Sequence, residues 1–261
     1  MLKKRLVGVV TIKNGWAVQS FGYDRYLPLG KPECLVENLD RWGADEILVQ
    51  VIDRSVVAKS PDYELLNKLA QLGIGTPLIY SGGVNTIEDG IRVIQSGADR
   101  IVVDSLLHDD LSIVDGLSNQ LGAQAIIASI PVKMGRYGPE WLDYRTKLST
   151  QLTKELVDCI AKGAISEILL IDWRHEGAPG RFDSELVHQF PVNNVPLIAF
   201  GGVSDIAQMS ELFSHPNISA VAIGNFLNYR ENSIQRIKED LDSPILRPPN
   251  YAAESTLLNN V

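Results

Sequence analysis

With 261 residues and 45% hydrophobic content, the chain is long enough for one large core and does not require two domains. Its formal net charge of −8 excludes the basic face that nucleic-acid binding needs, while anionic small molecules could still bind at local sites. Lys3, Lys4 and Arg5 precede an apolar run too short for a signal or a membrane span, and Cys34 and Cys159 fall far apart in predicted helices where core packing explains them better than chemistry, so a cytoplasmic protein that touches no membrane is expected.

The stretch 5–11 is an apolar, β-branched first strand, and the polar, aromatic stretch 13–30 has the length of a mobile loop over a site. A helix over 31–42, a strand over 46–53 and a helix over 61–72 follow. The third strand is Pro-Leu-Ile-Tyr-Ser-Gly-Gly-Val at 77–84, after which Thr86 caps a helix ending near Gly97, and 100–104 and 112–121 read as strand and helix. The second half restarts with a strand over 125–130, a loop through Gly135 and Gly138, and a long helix from about 148 to 162. A strand over 167–172, a helix over 183–189, the strand Pro-Leu-Ile-Ala-Phe-Gly-Gly-Val at 196–203, a helix over 205–213, a strand over 220–223 and a helix over 234–241 complete the pattern. Eight strand–helix units with continuous apolar strands predict a single (β/α)8 TIM barrel over residues 1–242. Residues 243–261, rich in Pro and Asn and without a clean period, read as a loosely packed tail.

The two Gly-Gly strands are separated by 119 residues, and Glu-Ile-Leu-Val at 46 is echoed by Glu-Ile-Leu-Leu at 167 with a spacing of 121, so the barrel reads as two duplicated half-barrels. A glycine pair at a strand end lets backbone amides approach a phosphate with no Cβ in the way; it also serves simply to turn the chain. In a barrel the working groups sit at strand C-termini, which places Thr11, Asp53, Gly82, Asp104, Pro131, Asp172, Gly201 and Gly224 on one face.

Through these motifs the chain resembles the cyclase subunit of imidazole glycerol phosphate synthase, a duplicated half-barrel family of histidine biosynthesis, over about residues 1–240. The resemblance implies a partner glutaminase whose ammonia passes through the barrel to a bisphosphorylated ribulosyl substrate, with no cofactor and no metal. It implies phosphate or ligand binding at Gly82, Gly83, Asp104 and Ser105 in one half and at Gly201, Gly202, Gly224 and Asn225 in the other. Asp104 stands where an asparagine is usual, and a carboxylate beside a phosphate is repulsive. The family's ammonia gate maps onto Arg5, Glu46, Arg100 and Glu167, with a lysine changed to Arg100; a ring satisfied for structure alone is the competing reading. Asp99 matches a residue that faces the glutaminase.

The family's catalytic pair of aspartates reads Thr11 and Pro131 here, its loop-one lysine reads Gln19, and Val51 takes the register of its strand-two aspartate, with Asp53 two residues on. Neither a hydroxyl of high pKa nor a pyrrolidine ring can exchange the protons of ring closure. The pattern resembles a diverged branch that works with a glutaminase and an ATP-using amidotransferase to amidinate sugars of bacterial surface polysaccharides. Three alternatives stand beside it: an active cyclase of histidine biosynthesis, an independent enzyme using Asp172, Arg174, His175 and Glu176 as a new polar site, and a barrel that binds a phosphorylated small molecule without turnover.

Overall fold

A computed structural model describes residues 3–55 and 59–248. In chain order the elements are β1 (Arg5–Lys13), β2 (Trp16–Phe21), β3 (Arg25–Gly30), α1 (Pro32–Arg41), β4 (Glu46–Val51), α2 (Tyr63–Ala70), β5 (Leu78–Ser81), α3 (Ile87–Gln95), β6 (Arg100–Val103), α4 (Ser105–Asp109) and α5 (Leu111–Leu121). The second half continues with β7 (Ile126–Gly135), β8 (Gly138–Asp143), β9 (Leu148–Gln151), α6 (Lys154–Ala161), β10 (Glu167–Asp172), α7 (Glu185–His188), β11 (Leu197–Phe200), α8 (Ile206–Ser214), β12 (Ile218–Ile223) and α9 (Ser233–Leu241). Strands β10, β11, β12, β1, β4, β5, β6 and β7 pair in parallel in that order, and β7 pairs back onto β10, which closes the expected (β/α)8 barrel.

Alternation along each strand sorts the side chains into two cores. Val7, Val9, Leu48, Val102, Leu169 and Ile171 point into the barrel, whereas Leu6, Val10, Ile47, Val49, Ile168 and Leu170 pack outward beneath the helices. The helices start where polar caps satisfy their free N–H groups: Thr86 and Asp89 form a reciprocal capping box on α3, and Asp62, Thr153 and Asp205 cap α2, α6 and α8.

The stretch 13–30 is not a loop. Asn14 and Gly15, both at positive φ, form the two-residue turn of a hairpin, and β1, β2 and β3 pair in an antiparallel arm. Asn-Gly is the strongest short hairpin signal because both positions need positive φ. The region 135–162 departs from expectation in the same way: β7 runs on through Gly135 into β8 and β9, and the helix occupies only Lys154–Ala161, since 148–151 is held as a strand against β8. Cys159 is buried as expected, but Cys34 lies on the exposed face of α1 and packs no core.

The last helix locks to the first unit through a buried ion pair. Lys238 Nζ lies 2.8 Å from Asp45 Oδ1 and donates to the Gly43 carbonyl at 2.9 Å, while Asp45 Oδ2 accepts the Leu6 N–H at 2.7 Å. The tail begins packed rather than loose: Leu246 is buried in a parallel bridge with Lys4, and the Arg247 N–H donates to the Lys4 carbonyl at 3.1 Å. The remainder, 249–261, lies outside the described residues.

Removing one partner of a buried, hydrogen-bonded pair leaves the other charge uncompensated. Lys238→Ala is expected to destabilise the fold by about 3–5 kcal/mol in denaturant titration, whereas Lys68→Ala, which breaks the exposed pair with Glu64, should leave the midpoint nearly unchanged.

Candidate functional site

At the N-terminal end of the barrel, Arg5, Glu46, Arg100 and Glu167 continue the inward parity of β1, β4, β6 and β10. They form one ring. Arg100 Nη1 lies 2.6 Å from Glu167 Oε2 and 3.4 Å from Glu46 Oε1; Arg5 Nη1 lies 3.4 Å from Glu46 Oε1, and its Nη2 pairs with Glu167 Oε1. Serines complete the set: Ser219 Oγ donates to Glu167, and Arg100 Nη2 donates to Ser166 Oγ at 2.8 Å. The two glutamates are not equivalent. Burial pushes Glu46 above the ordinary carboxylate range despite Arg5 and Arg100, and its Oε2 has no hydrogen-bond partner among the described residues. Burial also acts on Glu167, but the closer guanidinium groups of Arg5 and Arg100, with Ser219, outweigh it and hold this carboxyl below its ordinary value. Asp99, beside the ring, is exposed, and one of its oxygens accepts the Leu78 N–H at 2.7 Å.

At the opposite end, each glycine pair is required by its surroundings. Gly82 at φ +129° and Gly201 at φ +102° lie so close to the preceding strand ends that a Cβ would meet the Val51 carbonyl at 2.3 Å and the Asp172 carbonyl at 2.4 Å. Gly83 and Gly202 also have positive φ, with carbonyls of Lys59 and His175 at 2.5 and 2.7 Å from a Cβ. The geometry therefore satisfies the chain-turning reading as well as the phosphate reading.

The two halves differ in the space they offer. A cavity of about 300 Å³ opens beside Gly82 and Gly83 and is bordered by Asp104, Ser105 and Pro131. Beside Gly201, Gly202, Gly224 and Asn225 the space is smaller, about 30 Å³. The β2–β3 tip takes up that side. Asn225 clamps Ser20 through both its amide oxygen and its amide nitrogen, Ser20 Oγ donates to Glu176 Oε2 at 3.0 Å, and the Gly22 N–H donates to the Glu176 carbonyl at 2.9 Å. A Cβ on Gly177 would stand 2.3 Å from the Ser20 carbonyl, so glycine is needed for this seat. Burial raises Glu176 above its ordinary value, against hydrogen bonds from Ser20, Tyr23 and Gly22.

The large cavity is roofed from the other half by the turn after β8. Arg145 in that turn holds Asp109 through two contacts at 2.6 and 2.9 Å and Asp143 at 3.1 Å. Beneath it, Asp104 accepts from Ser129 Oγ at 3.0 Å, and its Oδ1 is shielded from water with no partner among the described residues. Burial pushes the Asp104 carboxyl up to about 7, with Asp143 adding to the rise and Ser129 and Arg145 opposing it. Thr11 and Pro131 do not face a common space: Pro131 borders the large cavity, whereas Thr11 borders a separate space of about 20 Å³. Gln19 is buried in β2, and Asp53 accepts the Asn14 N–H at 2.8 Å, bracing the first turn.

Asp172, Arg174, His175 and Glu176 do not converge on one site. Asp172 is buried, accepts the Asp183 N–H at 2.9 Å and lies 2.7 Å from His175 Nδ1; Arg174 is exposed, and Glu176 turns toward the β2–β3 tip. Sequence reading missed Ser129, Tyr144, Arg145 and the tyrosine at the hairpin tip, Tyr23. Ser129 was accessible from strand parity, being two residues before Pro131; the others depend on hairpins folding across the barrel. No group of three or more metal-ligating side chains and no helix long and apolar enough to cross a membrane occurs among the described residues.

A sequence profile described as histidine biosynthesis protein matches residues 5–233. The chain is 26% identical to imidazole glycerol phosphate synthase subunit HisF of Natranaerobius thermophilus over 243 residues, covering 92% of this chain and 96% of that one. It is 29% identical to the putative imidazole glycerol phosphate synthase subunit hisF2 of Vibrio vulnificus, covering 89% and 86%, and 25% identical to the protein of the same description from Pseudomonas aeruginosa, covering 86% and 90%.

The inequality within the charged ring has a measurable consequence. Glu167, held below its ordinary value, contributes stability at neutral pH that is lost as pH falls through its folded pKa; Glu46, held above, costs stability once pH rises past its unfolded value. Glu167→Gln is expected to cost about 3 kcal/mol at neutral pH, with the deficit shrinking as pH falls below the ordinary glutamate range, while Glu46→Gln stays within about 1 kcal/mol of the parent. Denaturant titrations across pH check this, and equal losses in the two variants would contradict it.

Proposed function

The chain is a member of the histidine biosynthesis family, and from that premise we propose that it is the barrel subunit of a glutamine amidotransferase complex, taking ammonia from a glutaminase on its N-terminal face. Neutral ammonia passes the ring of Arg5, Glu46, Arg100 and Glu167 and then an interior lined by Val7, Leu48, Val102 and Leu169, where nothing titrates to trap it. The acceptor is a sugar of a bacterial surface polysaccharide, amidinated with the help of an ATP-using amidotransferase. The two halves are copies of one half-barrel, as the matched seats of Gly82 on Val51 and Gly201 on Asp172 support.

The observation that carries this reading is the contrast between the barrel's ends. A mutually paired ring of four charges sits at one end, and apolar side chains could fill that space without loss of stability. At the other end Thr11 and Pro131 offer no proton exchange for a cyclisation. The subunit names of the relatives suit a chain that acts inside a complex.

Co-purification with a glutaminase, with glutamine hydrolysis and product amidation followed together, tests the proposal. Arg5→Ala is expected to bind the glutaminase but uncouple hydrolysis from amidation. Asp99→Asn, which keeps an acceptor for the Leu78 N–H, is expected to weaken association. With ammonia supplied directly, the purified chain is expected to form no imidazole glycerol phosphate from the cyclase's ribulosyl substrate. Failure to associate with a glutaminase, or cyclase turnover, would sink this reading.

A further inference from the structure

The turn that roofs the first-half cavity runs from Tyr144 to Lys147, between β8 and β9, and it reaches the first glycine pair from the other half of the barrel. Tyr144 is hydrogen-bonded to Ser55, and Ser55 Oγ in turn accepts the Gly83 N–H at 3.2 Å. One amide of the pair is therefore already spent, and an anionic ligand there needs a cation from elsewhere. Only two cations border this cavity of about 300 Å³, Arg145 and Lys147. Arg145 is taken up by Asp109 and Asp143. On the neighbouring arm Lys13 lies over the Tyr26 ring at 3.6 Å and Arg25 over the Phe21 ring at 4.9 Å. Lys147 is exposed and has no ionic or ring partner among the described residues.

The backbone supplies a second, independent observation. Lys147 sits at φ +62°, in the left-handed region that glycine enters freely and a residue with a Cβ does not. The turn itself is well held, since the Lys147 N–H donates to the Asp143 carbonyl at 2.8 Å and the Arg145 N–H to Asp143 Oδ1 at 2.9 Å. Glycine would serve this turn better, so what the position gains from lysine is its side chain, at the edge of the cavity.

We propose that Lys147 is a ligand-binding residue, supplying from the β8–β9 turn the cation that pairs with a phosphate group seated beside Gly82 and Gly83. A lysine ammonium carries three donors on a flexible stem, so it can follow the phosphate oxygens while Arg145 and Asp109 keep the turn in place. Charge-assisted bonds of this kind are about twice as strong as neutral ones. The Asp104 carboxyl does not oppose the anion as a fixed charge, because burial pushes it up to about 7, and its unpartnered oxygen is shielded from the space. The two half-barrels then serve one site jointly, the first through the backbone of its glycine pair and the second through the charge on its arm. This assignment rests on the reading that the acceptor of the complex is held on this face, and it specifies that the acceptor carries a phosphate. Phosphate binding is scored on the chain alone, so failure to associate with a glutaminase would leave it standing.

The test is a titration of the purified chain with inorganic phosphate at constant pH and ionic strength, following the backbone amide signals of Gly82, Gly83 and Ser105 and, separately, those of Gly201, Gly202 and Asn225. In the parent the first set is expected to shift and saturate. Lys147→Gln is expected to lower the affinity read from the first set about tenfold, the loss of one charge-assisted bond, and to leave the second set as in the parent. Lys147→Arg, which keeps the charge, is expected to stay within about threefold of the parent. Lys147→Gly separates binding from folding: it is expected to lose phosphate affinity as Lys147→Gln does while the melting temperature rises, because glycine takes the left-handed position without penalty. Lys154→Gln, the same charge change on the exposed start of α6, is expected to leave the first set unchanged. The proposal is overturned if phosphate does not shift the first set in the parent, if Lys147→Gln binds as the parent does, or if Lys154→Gln weakens binding as much as Lys147→Gln.

Discussion

Closure of the parallel sheet forces alternate residues of every barrel strand into one enclosed column, and the chemistry of this protein is arranged by height along it. The column begins with Arg5, Glu46, Arg100 and Glu167, passes through a band of valine, leucine and isoleucine, and ends at Gln50, Ser81, Asp104 and Pro131. A charge at the lowest level can escape desolvation only by pairing around the ring, which is why two arginines and two glutamates bind one another instead of snorkelling outward. The apolar band above them offers no polar partner to a charge, so the charged groups stay confined to the ring. The tail reaches the same end: Leu246 is fixed beside Lys4, and Arg247 lies near enough to Glu46 to favour its charged form.

The far end of the column is shaped by two arms that leave the barrel. β1 and β7 each run past the sheet and fold back as antiparallel hairpins, and each arm reaches over the opposite half. The β2–β3 tip settles on Glu176, Gly177 and Asn225, and its Gly22 and Tyr23 border the cavity beside the first glycine pair. The turn after β8 is tied by Arg145 to the end of α4 and roofs the first pair while leaving a cavity beneath it. Two strand ends with similar sequences therefore present different sites. Asn225 is consumed in holding backbone, whereas Asp104 keeps one buried oxygen without a partner among the described residues.

Most of the architecture was legible in the sequence. Continuous apolar runs alternating with capped amphipathic helices specify a parallel barrel, because such strands must be covered on both faces. Parity then fixes which residues face inward, and the family resemblance singled out the four charged residues at strand starts that pair as a ring. The Asn14–Gly15 turn was also legible, since adjacent residues able to take positive φ mark a hairpin; composition suggested a loop because the arm is polar on the side away from the core.

The sequence by itself thus determined the barrel and the glycine seats, which follow from local pattern and strand register, while the four charged positions and the replacement of acid–base groups at Thr11 and Pro131 came from the family resemblance. Tertiary structure alone decided which half holds the larger cavity, that Glu176 and His175 turn away from each other to different partners, and that Asp104 sits where its charge is poised near neutrality. The physical reason is range. Strand parity and helix caps act within a few residues, whereas the packing of Ser20 on Asn225, 205 positions away, and of Arg145 on Asp109, 36 positions away, exists only once the barrel has closed.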